Sequence, residues 1–206
     1  MSGRVILTAI RPDARDPAMV RLEVDGTQIG SIRREGAERL RLIEGMAWTS
    51  ARAKAVQTLL DQAACRHDAL RRLGRSDLSQ ATLTARLAAR WGDALAARTA
   101  DALARDGWLD DGAYARRRAE RLAARLPLSA EAMQARLESE GVDPREAARA
   151  VSRHHDPDGV HAHVRAWKRA GRDGAWMARR LARGGFDADS IAAALQRARI
   201  PCPDLD

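Results

Sequence analysis

The sequence has 206 residues, of which 45% are apolar but only 3% aromatic, and it carries a formal net charge of +8. Much of the apolar fraction is alanine, so large core side chains are scarce, and this composition favours thin packed helices over a β-sandwich or an α/β sheet. The two cysteines, Cys65 and Cys202, are too far apart to indicate a disulfide framework or a zinc knuckle, and no apolar run approaches the ~18–20 residues of a membrane span.

Positive charge is carried almost entirely by arginine, since Lys54 and Lys168 are the only lysines. A positive surface attracts a polyanion or an acidic protein partner and is uninformative about the fold. Genome base composition is an alternative cause of the arginine excess. The N-terminal apolar run is too short for a secretory signal and lacks a small-residue cleavage site, so a cytoplasmic location is expected.

Residues 1–48 differ from the rest because they contain short β-branched runs. In "MVRLEV" apolar and polar residues alternate as in a half-buried strand, and Asp25-Gly26 then favours a type I′ hairpin turn. The stretch "EGAERLRLIEGM" predicts a short helix that ends near Gly45. So small a segment buries little surface alone, and we expect it to dock on the helices that follow.

A helical pattern begins at Thr49, because Thr49 or Ser50 can cap a helix start. The apolar stripe that follows predicts a helix over about 52–73. One continuous helix fits this pattern, and so do two helices with a break near Cys65.

Three later stretches repeat one pattern: "SQATLTARL" at 79–87, "SAEAMQARL" at 129–137 and "DGAWMARRL" at 173–181. Each opens on a residue type that caps helices, followed by an apolar residue after four positions and a leucine after four more. A cap satisfies unpaired amide donors at a helix start, and apolar residues four apart share a face. The members are Ser79, Leu83 and Leu87; Ser129, Met133 and Leu137; and Asp173, Met177 and Leu181.

Repeats of this length predict one helical unit each. Helices are expected at 52–73, 79–90, 93–106, 111–125, 129–140, 144–154, 157–170, 174–183 and 188–198. The predicted domains are a small β-strand and helix segment, 1–48, three helical repeats, 49–109, 110–155 and 156–200, and a tail, 201–206. Modules with so few large side chains cannot close on themselves, so the expected fold class is mainly α, with three tandem three-helix repeats in an elongated curved array.

The stretch "DGWLDDGAY" is interpreted as the junction between the first two repeats. Gly107 is predicted to end a helix in the left-handed conformation, with Trp108 packing back on the last turn. Asp110 is the predicted cap of the next helix, and Leu109 and Tyr114 are spaced for a hydrophobic staple across its start.

Asp111 is the second acid of this junction and lies in the first helical turn, where the helix dipole favours negative charge. With Asp110 it also forms a candidate catalytic or metal-binding pair. Two adjacent acids at a helix start point in different directions, however, and no base or nucleophile accompanies them. We therefore predict no catalytic residue at this junction.

These stretches carry a family resemblance. "GWLDDGAYA" resembles the glycine–aromatic–aliphatic–Asp/Asn–Asp signature of the RecX family of recombinase regulators. "ALRRLGRSDLSQATLTARL", "SAEAMQARLESEGVD" and "WMARRLARGGFDADSIAAAL" are similar to its three repeats, and "VRLEVDGTQIGSI" to the leader of many members. The resemblance covers about 55–200. Three features depart from it: Trp91-Gly92-Asp93 replaces a Gly-Phe-type helix break, Pro127 stands where glycine is common, and the tail is acidic.

The resemblance implies a non-enzymatic, all-helical modulator of the RecA recombinase, with a role in recombination, DNA repair and the SOS response. Such proteins bind in the groove of the RecA–DNA filament and suppress ATP hydrolysis, strand exchange and co-protease activity. We therefore expect a RecA filament partner and no cofactor. The lack of a long apolar run predicts no membrane span, and a monomer is the default expectation. The alternative is a helical-repeat protein that binds DNA directly and acts without RecA.

Exposed arginines are the candidate partner contacts, because the guanidinium group pairs with carboxylates or phosphates through two parallel bonds. The favoured set is Arg117, Arg121 and Arg125, which recur every four residues and have no nearby acid in the sequence except Glu120. Further candidates are Arg71, Arg72, Arg75, Arg172, Arg179 and Arg183. A solvated helix face is the alternative interpretation of any one of them.

Two other patterns can be interpreted either as functional sites or as ordinary structural features. The histidines between His154 and His163, with acids among them, suggest a metal site, but their spacing matches no standard ligand set, so we predict no metal. The five tryptophans suggest base stacking, but most lie at helix ends or on apolar stripes, where packing is the expected role.

Overall fold

The computed structural model describes residues 4–14, 16–125, 127–154 and 159–201. These residues form three strands and ten helices. The chain divides into two compact units, the first comprising Met1–Ser76 and Leu83–Leu103, the second Asp77–Thr82 and Ala104–Asp206. No helix in the described ranges combines the length and apolar character that crossing a membrane requires. The predicted division into three repeats stays a prediction.

The N-terminal strands are β1 (Leu7–Pro12), β2 (Met19–Val24) and β3 (Thr27–Arg33). They form an antiparallel sheet in the order β1-β2-β3. The turn between β2 and β3 confirms the predicted hairpin, because Asp25 and Gly26 both have positive φ, 46° and 76°.

Helix α1 (Arg34–Arg39) is shorter than predicted. Arg41 adopts φ 48° and ends the helix, while its N–H and that of Leu42 bond the carbonyls of Glu38 and Ala37. This is a Schellman closure with arginine at a position where glycine is usual, so the sequence carried no stop signal before Gly45.

Helix α2 (Ser50–Leu73) is continuous, which confirms the single long helix and excludes the alternative of a break near Cys65. Thr49 caps it by accepting the N–H of Arg52 at 3.3 Å. The N-terminal segment, residues 1–48, docks on this helix as expected, because Val56 of α2 is buried among the strand residues. Gly30 of β3 lies so close to Leu60 that a Cβ at position 30 would be 2.5 Å from the leucine side chain.

The other helices confirm the predicted ones to within two residues at each end. They are α3 (Gln80–Trp91), α4 (Asp93–Arg105), α5 (Asp111–Arg125), α6 (Ala130–Ser139), α7 (Pro144–His154), α8 (Gly159–Arg169), α9 (Gly174–Ala182) and α10 (Ala188–Arg197). Gly92, with φ 75°, joins α3 directly to α4, whereas short loops follow α6 and α9.

The three predicted caps all form. Ser79, Ser129 and Asp173 accept the N–H of the residue three positions later at 3.1, 3.1 and 2.6 Å. All six apolar positions four and eight residues after them are buried. Each copy of the sequence pattern therefore begins a capped helix and buries one face of it, as the spacing predicted.

Corresponding positions of the repeated pattern also lie close together within the second unit, although the donors differ. The carbonyl of Glu140 accepts hydrogen bonds from Ser79 and Thr82, and the carbonyl of Gly184 accepts the N–H of Ser129. The glycine that follows each carbonyl, at 141 and 185, would place a Cβ 2.2 or 2.6 Å from an alanine side chain of the preceding copy. The loop after α6 thus packs on the start of α3, and the loop after α9 on the start of α6.

Candidate partner-binding surface

Helix α5 separates a buried face from a basic one. Asp110 caps the helix, with its Oδ1 accepting the N–H of Ala113 at 2.8 Å. The buried face carries Ala115, Ala119 and Leu122. On the other face the three favoured arginines, Arg117, Arg121 and Arg125, are exposed.

Two arginines of α5 hold one carboxylate. The Nη2 of Arg117 lies 2.8 Å from Oδ1 of Asp77, and its Nε lies 3.0 Å from Oδ2. The Nη2 of Arg121 lies 3.0 Å from the same Oδ2. Hydrogen bonds from Arg117 hold the pKa of Asp77 below its ordinary range, so the carboxylate is charged at neutral pH.

One expectation about these arginines is wrong. Arg117 and Arg121 were expected to lack a nearby acid other than Glu120, but Asp77 pairs with both. The acid lies 40 residues before Arg117, in the segment that precedes α3, so no helical spacing could have indicated it. Arg125 makes no ion pair with any described residue and is the least constrained member of the set.

A second cluster surrounds Glu140. It includes Arg118 of α5, whose charge is paired with Glu140 and is not available to a partner. The guanidinium of Arg118 donates three hydrogen bonds to Glu140, at 2.6 to 3.1 Å, and the hydroxyl of Tyr114 donates another at 2.6 Å. Burial opposes ionisation of Glu140, but the bonds from Arg118 and Tyr114 outweigh it and lower its pKa. Burial, together with the hydrogen bond to Glu140, raises the pKa of Tyr114 to about 12.

The candidate arginines in and just after the last turn of α2 differ among themselves. Arg71 and Arg72 both bond the buried carboxylate of Asp68, which also accepts the indole N–H of Trp91 at 3.2 Å. Burial alone would raise the pKa of Asp68, but the bonds from Arg72, Arg71 and Trp91 lower it to about 2. Arg71 and Arg72 therefore stabilise the first unit, whereas Arg75 is exposed.

The candidate arginines of the predicted third repeat lie at both ends of α9. Arg172 is placed over the ring of Trp176, 5.1 Å from its centroid, a cation–π contact. Trp176 in turn meets Trp167 edge-on at 5.3 Å. Arg179 and Arg183 are exposed.

The junction stretch has most of its predicted geometry. Gly107 has φ 79°, and its N–H bonds the carbonyl of Ala104. Leu109 and Tyr114 are both buried, as a staple requires. The packing predicted for Trp108 is wrong, since the residue is 59% exposed and most of the indole lies in solvent.

Asp111 has a role that helix position did not predict. Its Oδ1 accepts the N–H of Gln80, in the first turn of α3, at 2.8 Å. Burial raises its pKa, and the bond from Gln80 opposes that shift. The carboxylate thus satisfies an amide donor of another helix, which is a structural use of one member of the candidate acid pair.

The histidine cluster lies only partly within the described residues, since the side chain of His154 and residues 155–158 fall outside them. His163 stacks at 5.9 Å on Trp167. Within the described ranges, no group of three metal-ligating side chains comes together. The prediction of no metal therefore rests on the sequence alone.

Comparison with known proteins identifies the fold. No protein-family model and no curated sequence matches the chain. A crystal structure of regulatory protein RecX matches with a TM-score of 0.70 and 13% identity, covering 93% of this chain and 99% of that one. A crystal structure of RecX from Lactobacillus salivarius matches with a TM-score of 0.54 and 15% identity, covering 68% of this chain and 97% of that one. The chain therefore has the RecX fold, as the sequence motifs predicted.

Proposed function

We propose that this chain is a RecX-type regulatory protein that binds the RecA–DNA filament and inhibits the recombinase ATPase and strand exchange. The observation that carries the proposal is the fold match, which spans 93% of this chain and 99% of a regulatory protein RecX. Because the match spans almost all of both chains, nearly every part of this chain superposes on a part of that protein. The sequence motifs of the junction and of the three repeats support the same assignment.

The basic face of α5 is the proposed contact surface. Arg117, Arg121 and Arg125 are exposed on one face and the chain carries a net charge of +8, so this face attracts acidic groups. Arg75, in the turn after α2, and Arg179 and Arg183, at the end of α9, are exposed as well and are further proposed contacts. Several weak contacts along a repeating partner add avidity, which makes strong individual ion pairs unnecessary.

Other parts of the proposal follow from the same assignment. We propose a non-catalytic monomer that needs no cofactor and works in the cytoplasm, where it meets its filament partner. Arg71 and Arg72 contribute less to binding than Arg75, because leaving Asp68 unpaired would cost stability.

The test is the RecA ATPase on single-stranded DNA, measured with sub-equimolar amounts of the purified chain. A filament regulator lowers the rate at molar ratios well below one, since each bound copy contacts several RecA subunits. An unchanged rate, with no binding of the labelled chain to filaments, would exclude the proposal.

Direct DNA binding is the second candidate, and the exposed arginines favour it. A salt titration of binding to naked DNA separates the two functions. Direct binding weakens by about 0.9 log unit per log unit of salt for each phosphate contact. Tight, steeply salt-dependent binding to naked DNA without any effect on RecA would support this second function.

A further inference from the structure

The pair formed by Arg117 and Arg121 is an anion site that already has an occupant. Three donors, two from Arg117 and one from Arg121, converge on the two oxygens of Asp77 at 2.8 to 3.0 Å. Arg117 presents Nε and Nη2 side by side, the geometry in which guanidinium matches a planar carboxylate. The donor set would serve a carboxylate from another molecule equally well.

The site is open to exchange. The side chains of Arg117 and Arg121 are 53% and 42% exposed, and that of Asp77 is 28% exposed. An ion pair at this exposure contributes little, because water solvates the separated charges well. A second carboxylate can therefore approach both arginines and displace Asp77 at small cost.

The surroundings allow Asp77 to leave without unfolding its neighbours. The start of α3, three residues further on, is held independently. Ser79 and Thr82 bond the carbonyl of Glu140, and the N–H of Gln80 bonds Asp111. Release of the Asp77 side chain breaks none of these bonds, so the exchange is a local side-chain movement.

We infer that Asp77 is an internal competitor that occupies, in the free protein, the place an acidic side chain of the protein partner takes between Arg117 and Arg121. The inference rests on the proposed function, since it assumes that α5 faces the partner. A carboxylate is preferred to a phosphate because the resident group is itself a carboxylate and accepts from both Nε and Nη2 of Arg117. Asp77 thereby weakens binding to every acidic partner and sets the affinity of the surface.

The experiment compares Asp77→Asn with Glu120→Gln in the full chain. Both variants remove one negative charge, and Glu120 is an exposed residue of α5 that makes no ion pair with a described residue. The probes are a fluorescent oligoglutamate peptide and a fluorescent oligothymidine, titrated by anisotropy at equal ionic strength. We expect Asp77→Asn to bind the peptide about 2- to 5-fold more tightly than Glu120→Gln, the range set by a surface ion pair.

Further variants make the result specific. The gain from Asp77→Asn is expected to vanish in a background of Arg117→Gln and Arg121→Gln, because the vacated donors are then absent. Asp77→Ala is expected to give the same gain, and circular dichroism checks that each variant keeps its helices. Equal peptide affinity in Asp77→Asn and Glu120→Gln, with both folded, would overturn the inference. A gain confined to oligothymidine would overturn the choice of a carboxylate.

Binding to RecA filaments on single-stranded DNA is measured separately with the same variants. If the wild-type chain fails to bind filaments, the proposed function fails, whatever the peptide titration shows. A different outcome is that the wild-type chain binds filaments while Asp77→Asn shows no greater increase in affinity than Glu120→Gln, both for the oligoglutamate peptide and for the filament. That result would exclude the internal competitor and leave the proposed function standing.

Discussion

The hydroxyl of Ser79 donates a hydrogen bond to the backbone carbonyl of Glu140, which lies 61 residues later in the chain. The same hydroxyl oxygen accepts the N–H of Thr82 and so caps α3. The fully buried side chain of Ser79 therefore caps α3 and also connects it to the residue that follows α6.

Ser79→Ala is expected to destabilise the chain more than Ser129→Ala. Both hydroxyls cap a helix at 3.1 Å, but within the described part of the chain only the hydroxyl of Ser79 also donates to a distant backbone carbonyl, that of Glu140. Losing the cap costs about 1 kcal/mol, and losing the additional buried bond about another 1 kcal/mol, with Thr82 still bonding Glu140. Urea unfolding of the two variants measures the difference. Equal losses would show that the bond to Glu140 contributes nothing.

Gly141→Ala is expected to cost far more than Gly107→Ala. Both glycines have nearly the same positive φ, 82° and 79°, so the backbone strain of about 1 kcal/mol is shared. A Cβ at 141 would lie 2.2 Å from the Cβ of Ala81, whereas at 107 nothing lies within 4 Å. The excess, of the order of 1–3 kcal/mol for overpacking, appears in the free energy of unfolding. Matching losses would contradict the close packing of the loop.

Asp68→Asn is expected to flatten the acid limb of the stability curve. The folded-state pKa of Asp68 is about 2, below its model-peptide value of 3.8. A lowered pKa means that the stabilisation is present above pH 4 and is lost as the pH falls towards 2, and the shift corresponds to about 2 kcal/mol. Urea midpoints from pH 7 to pH 2 measure this slope. Asp61→Asn, on the same helix, is the control and is expected to keep the wild-type slope.

Reversing the charges of Arg117, Arg121 and Arg125 to Glu is expected to weaken inhibition of the RecA ATPase at least tenfold while leaving helicity intact. The new glutamates also repel Asp77, which adds to the loss of positive charge on this face.

A matched control exists on α7, where Arg145, Arg149 and Arg153 have the same spacing and are exposed. Their reversal changes the net charge equally and is expected to leave most of the inhibition. Equal losses from both triple variants would show that total charge matters and that the α5 face does not.

The helices of this protein were predictable because their signals are local. Caps such as Ser129 and Asp173 lie at fixed distances from the apolar residues they precede, and a hydrogen bond to a nearby amide needs no distant partner. Where a local signal was absent the prediction failed, as at Arg41, whose left-handed conformation ends α1 without a glycine.

The tertiary structure decided which arginines are paired with an acid and which remain available to a partner. By sequence Arg117, Arg118 and Arg121 are similar basic residues on one helix, yet folding pairs Arg118 with Glu140 and the other two with Asp77. These acids lie 22 to 44 residues away along the chain, so their approach depends on how the helices pack. The sequence by itself determined where the helices begin and which faces they bury, because both depend on contacts within a few residues. The charge that remains for a partner depends on distant contacts, and only the folded chain decides it.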